Sequence, residues 1–210
     1  MKHLFGPVNS RRLGISLGID LLPYKTCSLD CIYCECGSTT ILTTVRREYI
    51  NTEDVIDELN EYLSTKPRLD YITFSGSGEP TLHSGIGKII SFLKSHYPDY
   101  RICVLTNSTL LHLKEVRDEI IAADVIVPSL DAMTDVSLQK ILRPHESVTV
   151  GNILRGITSL SREFSGKIII EYFVIPGIND SDEEIDLLKN YLLTIDSAVV
   201  QLNYLSRPGE

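Results

Sequence analysis

The sequence predicts an α/β fold built on a parallel sheet, and three observations carry that prediction. Six short apolar segments rich in Val, Ile and Tyr recur along the 210 residues. Segments with helical periodicity lie between them. No repeat, low-complexity tract or linker breaks the alternation, so a single domain spanning residues 1–210 is expected.

In chain order, Gly14 to Leu22 reads as the first strand and ends just before a cysteine-rich loop. Leu69 to Ser75, Arg101 to Thr106 and Asp124 to Leu130 follow as the second, third and fourth. Lys167 to Ile175 and Ala198 to Tyr204 are the fifth and sixth. Short runs of this kind suit strands buried on both faces. Between them, Val55, Leu59, Tyr62 and Leu63 share one helical face, as do Ile86, Ile89, Ile90 and Leu93. Leu113, Val116 and Ile120 form a third stripe, and Val150, Ile153, Leu154, Ile157 and Leu160 a longer one. The last helix opens on Ser181-Asp182-Glu183-Glu184, the pattern of a capping box, before Ile185, Leu188 and Leu192.

Composition narrows the class. At 43% hydrophobic and 23% charged, the chain can bury a sizeable core. Its start, Met1 to Pro7, lacks the apolar run of a signal peptide. The most apolar stretch, Lys167 to Ile175, is too short to span a bilayer and contains Glu171. A cytoplasmic protein with no membrane partner is expected. Residues 1–50 carry six Lys/Arg against four Asp/Glu, and the remainder carries fourteen against twenty-four, so the net charge of −8 lies in the body. Nucleic-acid binders show a basic footprint, so the acidic body argues against a large RNA substrate and leaves room only for a local patch. Arg11-Arg12 and Arg46-Arg47 are the candidates for one, weighed against solvated surface pairs.

The most informative residues are Cys27, Cys31 and Cys34, a C-x3-C-x2-C cluster with Tyr33 before the last thiol. Three thiolates on one loop can hold a metal centre, but iron–sulfur clusters usually take four. A coordination position left open marks a catalytic rather than a structural site. Cys36 lies two residues on and leaves a four-thiolate zinc or closed iron–sulfur site as an alternative, although structural zinc prefers two separated pairs. Five cysteines and no secretory signal speak against disulfides. Cys103, in a strand, reads as an inert core thiol.

The cysteine run resembles the signature of the radical SAM enzymes, C-x3-C-x-aromatic-C, and the resemblance extends over nearly the whole chain. It implies a partial (β/α)6 TIM-like barrel of parallel strands, open on one side, with its site at the C-terminal strand ends. It implies that Cys27, Cys31 and Cys34 ligate a [4Fe–4S] cluster whose fourth iron chelates S-adenosylmethionine. Reductive cleavage then yields a 5′-deoxyadenosyl radical that abstracts hydrogen from substrate, with an electron donor such as flavodoxin or ferredoxin. Ser75-Gly76-Ser77-Gly78-Glu79 after the second strand matches the family's Gly-Gly-Glu motif, with Ser77 in place of the first Gly. Its backbone would bind the cofactor's amino group, although a plain strand-to-helix turn has the same composition. Thr81 and the glycine register exclude a dinucleotide fingerprint.

Asn107, Ser129 and Asp131, at the ends of the third and fourth strands, are the expected contacts of the ribose and the methionine carboxylate. Each alone is equally a cap or turn residue. Arg143 is a candidate carboxylate partner, weighed against a surface arginine. Tyr33 would lie against adenine, near Val174 to Asp180 and Gln201 to Asn203. The run Gly6 to Asp20 with Cys36 to Thr40 resembles an uncharacterised radical SAM group related to the wyosine-synthesis (tRNA-modifying) enzymes. No cysteine set for a second cluster precedes Cys27, which weighs against tRNA chemistry and favours a small-molecule or peptide substrate. The chain stops at Arg207 to Glu210, directly after the sixth strand, so a core lacking a closing segment is expected. No residue stands out as a general base.

Overall fold

A computed structural model of the chain describes residues 1–10, 12–195 and 198–204. Arg11 and Arg207 to Glu210 lie outside the described residues. The chain folds into a seven-stranded sheet with helices on its outer face. Six strands are parallel and stand side by side in chain order: β2 (Gly14–Ile19), β5 (Tyr71–Phe74), β6 (Arg101–Thr106), β7 (Val125–Pro128), β8 (Lys167–Val174) and β9 (Val199–Tyr204). These are the six expected segments, several trimmed by a residue or more at their ends. Among the described residues the sheet does not close, since β9 forms one edge and pairs only with β8. The architecture is the open, partial (β/α)6 barrel.

The other edge is covered by a strand that periodicity did not disclose. β1 (Leu4–Ser10) runs antiparallel to β2, with a register shift between Phe5 and Val8. Its Gly6-Pro7 pair and mostly exposed residues hide it from an apolar pattern. Two further strands of two residues each, β3 (Thr26–Cys27) and β4 (Ile41–Leu42), pair in parallel and bracket the cysteine loop.

The helices are α1 (Thr52–Ser64), α2 (Ile86–His96), α3 (Lys114–Ile120), α4 (Asp135–Leu142), α5 (Val150–Glu163) and α6 (Asp182–Leu192). Each buries the apolar stripe that defines it, for example Val55, Leu59 and Leu63 in α1 and Ile86, Ile89, Ile90 and Leu93 in α2. Asn51 caps α1 by accepting from the backbone N–H of Glu53 and Asp54. Leu113 sits at the cap of α3 rather than inside it.

Two local details correct the sequence reading. α4 was not expected; it starts on a capping box of Thr134 and Ser137. The box expected at Ser181 is only half made. Ser181 accepts from Glu184 N, but the buried Glu184 carboxylate turns to Met133 N and Thr134 Oγ1 and so ties α6 to the start of α4. Tertiary packing offered that carboxylate two donors, one for each oxygen.

The face of the sheet turned away from the helices carries its own small cluster of Leu13, Cys103, Val125 and Val127, against Tyr71, Leu105 and Ile169. Cys103 is fully buried there, and burial pushes its thiol up to about 12, as an inert core cysteine requires. Among the described residues no helix is long and apolar enough to cross a membrane.

Candidate active site

The cysteine loop is a closed clasp. Lys25 adopts a left-handed conformation (φ 54°), and its carbonyl accepts from Thr40 N (3.0 Å) and Ile41 N (3.1 Å) across the loop's neck. Thr43 N donates to Cys27 O (2.9 Å), and Asp30 Oδ1 accepts from Thr39 N (2.7 Å). The C-terminus of α4 docks on the same loop. Its carbonyls at Ile141 and Leu142, which the helix itself leaves without donors, accept from Ile32 N (2.9 Å) and Asp30 N (2.8 Å).

Within the clasp, Cys27, Cys31, Cys34 and Cys36 are all half-buried. Burial pushes the Cys27 thiol up to about 11, with the Glu79 charge adding to it, and raises Cys31 as well. Lys25 Nζ donates to Cys34 Sγ at 3.0 Å, and Asn107 Nδ2 lies 3.5 Å from Cys27 Sγ. Among the described residues no three His, Cys, Asp or Glu side chains gather as a single ion needs.

The Ser75–Glu79 loop is clamped to the base of the clasp. Gly76 has φ 136°, and a Cβ there would lie 2.3 Å from Asp20 Cγ; a Cβ on Gly78 would lie 2.1 Å from Thr26 O. Asp20 holds Ser77 by its N–H (3.0 Å) and its hydroxyl (2.9 Å), while Glu79 N donates to Thr26 O (3.2 Å). The Glu79 side chain is buried and fully occupied. Oε1 accepts from Thr81 N (3.1 Å), Thr81 Oγ1 (2.6 Å) and Thr106 Oγ1 (2.8 Å), and Oε2 from Asn107 N (2.6 Å). Burial raises its pKa, against those four donors. Its carboxylate is thus a brace between two strand ends, and what the loop offers outward is its backbone and Ser77.

Asn107 bridges the same parts from above β6, donating to Ser28 Oγ (2.9 Å) and accepting from Thr109. Ser129 has its N–H on Thr106 O (2.8 Å) and its carbonyl on Ser108 Oγ (2.7 Å). Tyr33 stacks on Phe173, with ring centroids 4.2 Å apart and planes within 3°, and its hydroxyl donates to Asp131 Oδ2. Asp131 Oδ1 accepts from Phe173 N (2.7 Å), so both oxygens are taken, and burial pushes this carboxyl up to about 7.

Cys31, Tyr33, Asn107, Ser129 and Asp131 therefore meet around one cavity of about 40 Å³, room for little more than a water molecule. A larger cavity of about 520 Å³ is lined by His3, Phe5, Asp20, Cys36, Ser75 and Gly76 among others.

Arg143 is not brought into this group. It ends α4 in a left-handed conformation, its side chain is 61% exposed, and its nearest partner is Asp30 at 4.0 Å. Of the two basic pairs, the three described members are each engaged within the chain. Arg12 pairs with Glu171, which also accepts from Asn203, and Arg46 pairs with Glu119 and donates to Thr81 O. Arg47 lies over the Tyr49 ring.

Three residues of the site escaped sequence reasoning, Lys25, Asp20 and Phe173, and Asn179 entered it only as part of the Val174 to Asp180 stretch. Asn179 is fully buried and links Asp131 O (2.9 Å) to Phe173 O (2.8 Å), holding the ends of β7 and β8 together. Only Phe173 left a trace in the pattern, since strand alternation puts it on the same face as Glu171.

An open parallel barrel that gathers a three-thiol clasp, a glycine-rich loop and a polar rim at its strand ends defines a class built to hold a metal cluster and a small cofactor. The chain belongs to the radical SAM superfamily, whose model matches residues 21–188. It is 38% identical to a UPF0026 protein of Synechocystis sp., across 98% of this chain and 76% of that protein. A UPF0026 protein of Methanocaldococcus jannaschii is 34% identical, across 99% and 65%. A protein named GTPase Obg from Brachyspira hyodysenteriae is 40% identical over 96% of this chain, which spans only 29% of that protein. Among solved structures, a radical SAM methyltransferase from Sphaerobacter thermophilus aligns with a TM-score of 0.61 at 17% identity, over 90% of this chain and 55% of that one.

Proposed function

We propose that this chain is the core of a radical SAM enzyme in which Cys27, Cys31 and Cys34 each bind one iron of a [4Fe–4S] cluster. When bound, the cluster and S-adenosylmethionine supply a 5′-deoxyadenosyl radical that takes hydrogen from substrate. The chain supplies position and shelter. The observation that carries this reading is the donor set itself: three half-buried thiols on one clasp, faced by a buried Lys25 ammonium and pinned to the glycine loop and to Asn107. Such a pocket suits an anionic cluster.

In this reading the backbone of Gly76 to Gly78 and the Ser77 hydroxyl hold the cofactor's amino group, with Asp20 fixing Ser77. Asn107, Ser129 and Asp131 serve the ribose and carboxylate. Tyr33 faces adenine, which requires its contact with Asp131 to be exchanged for the ligand. Arg143 has no role. An electron donor such as flavodoxin or ferredoxin supplies the electron. The substrate favoured is a small molecule or peptide, because Arg12 and Arg46 are spent on Glu171 and Glu119 rather than free for phosphates.

A second reading, an RNA substrate, has one observation behind it. A dual-specificity RNA methyltransferase of Phenylobacterium zucineum is 23% identical over 87% of this chain, which spans half of that protein. That reading, and the resemblance to wyosine-synthesis enzymes, requires RNA affinity that falls steeply with salt.

The test is anaerobic reconstitution followed by dithionite and S-adenosylmethionine, with iron, zinc and 5′-deoxyadenosine measured. The expected result is about four irons per chain, with deoxyadenosine formed. Cys27→Ala, Cys31→Ala and Cys34→Ala lose both, whereas Cys36→Ala keeps the iron. Bound zinc with no cleavage overturns the proposal.

A further inference from the structure

The clasp contains a charge that the ligand set does not explain. Lysines are almost never fully buried unless paired, yet Lys25 is 2% exposed. Among the described residues its Nζ has one hydrogen-bond partner, Cys34 Sγ at 3.0 Å, and no carboxylate within 4.0 Å. A neutral thiol is a weak acceptor and leaves a buried ammonium uncompensated. Nor is the placement loose. The left-handed backbone at Lys25 and its carbonyl, which closes the neck of the clasp onto Thr40 and Ile41, hold the side chain against the cysteines.

We propose that Lys25 is a positioning residue that sets the reduction potential of the cluster on Cys27, Cys31 and Cys34 through its positive charge. This rests on the function proposed above. A cluster's potential follows its net charge, the hydrogen bonds to its sulfurs and its exposure. Reduction adds one electron to a centre already carrying three thiolates. A cation at 3.0 Å from one of those sulfurs favours the reduced form, the form that a reductive cleavage needs. The charge also stabilises the loaded clasp over the empty one, because only the loaded one compensates the ammonium.

The experiment is an EPR-monitored redox titration of the reconstituted full chain, comparing wild type with Lys25→Met, Lys25→Gln and Lys25→Arg. Both neutral variants should shift the reduced-to-oxidised ratio at a fixed potential by about tenfold toward oxidised. That is a fall in midpoint of about 59 mV for a one-electron couple. Lys25→Arg should stay close to wild type. A wild-type midpoint in iron-loaded Lys25→Met overturns the proposal, and so does one in Lys25→Gln, which would leave hydrogen bonding rather than charge as the cause. If neither neutral variant retains iron while Lys25→Arg does, the charge acts in assembly and the potential-setting role is overturned. A wild type that loads iron and cleaves S-adenosylmethionine keeps the proposed function intact whichever way the variants fall. A wild type that loads no iron removes both.

Discussion

Glu79→Gln isolates the brace beneath the site. The carboxylate accepts two backbone donors, Thr81 N and Asn107 N, on different oxygens, and two hydroxyls. The hydroxyls of Thr81 and Thr106 can rotate and accept from an amide. Backbone N–H groups cannot. With the amide oxygen at the Oε1 position, the NH2 confronts Asn107 N, now 2.6 Å from Oε2. Flipped, it confronts Thr81 N, now 3.1 Å from Oε1. Either orientation therefore orphans one buried backbone donor, which costs about 1–3 kcal/mol. For a chain of this length about 2 kcal/mol lowers the melting temperature by roughly 4–8 °C. Thermal denaturation of the metal-free protein followed by circular dichroism measures this directly. A variant that melts within about 1 °C of wild type would refute the reasoning, because the two donors would then have other acceptors.

Other outcomes follow from the same geometry. Gly78→Ala should lower the melting temperature and the iron bound per chain, since its Cβ would lie 2.1 Å from the Thr26 carbonyl at the base of the clasp; normal iron content in a stable variant would refute this. Asp131 is raised by burial to about 7 in the fold and titrates near 3.9 when unfolded. Between those values the folded chain holds a proton that the unfolded chain has released, so stability falls as pH rises, by up to about 1.4 kcal/mol per pH unit. Urea titrations from pH 4 to 7 should show that slope in wild type and a shallower one in Asp131→Asn, where buried Glu79, raised in the same direction, remains. Arg143→Ala should leave iron content and S-adenosylmethionine cleavage unchanged, as among the described residues its exposed side chain reaches only Asp30; a loss of cleavage would return it to the site.

The sequence by itself determined the six parallel strands, the face each helix buries, and the thiol set. All of these rest on local pattern: runs of apolar residues, a 3.6-residue repeat, and three cysteines on one short loop. It also placed Asn107, Ser129 and Asp131 at strand ends, where parallel topology gathers them on one rim. β1 and α4 stayed hidden, because one pairs through its backbone with exposed side chains and the other is eight residues of ordinary composition. Only the tertiary structure decided what each polar group bonds to. It spent the Glu79 side chain on a brace between two strand ends, and turned Glu184 from its own helix cap to the start of α4. It committed Arg12 and Arg46 to carboxylates more than seventy residues away in sequence. It also buried Lys25 against a thiol nine positions along the chain. A charged side chain in a low-dielectric interior takes the best partner within reach, and reach is set by how the strands are ordered in space.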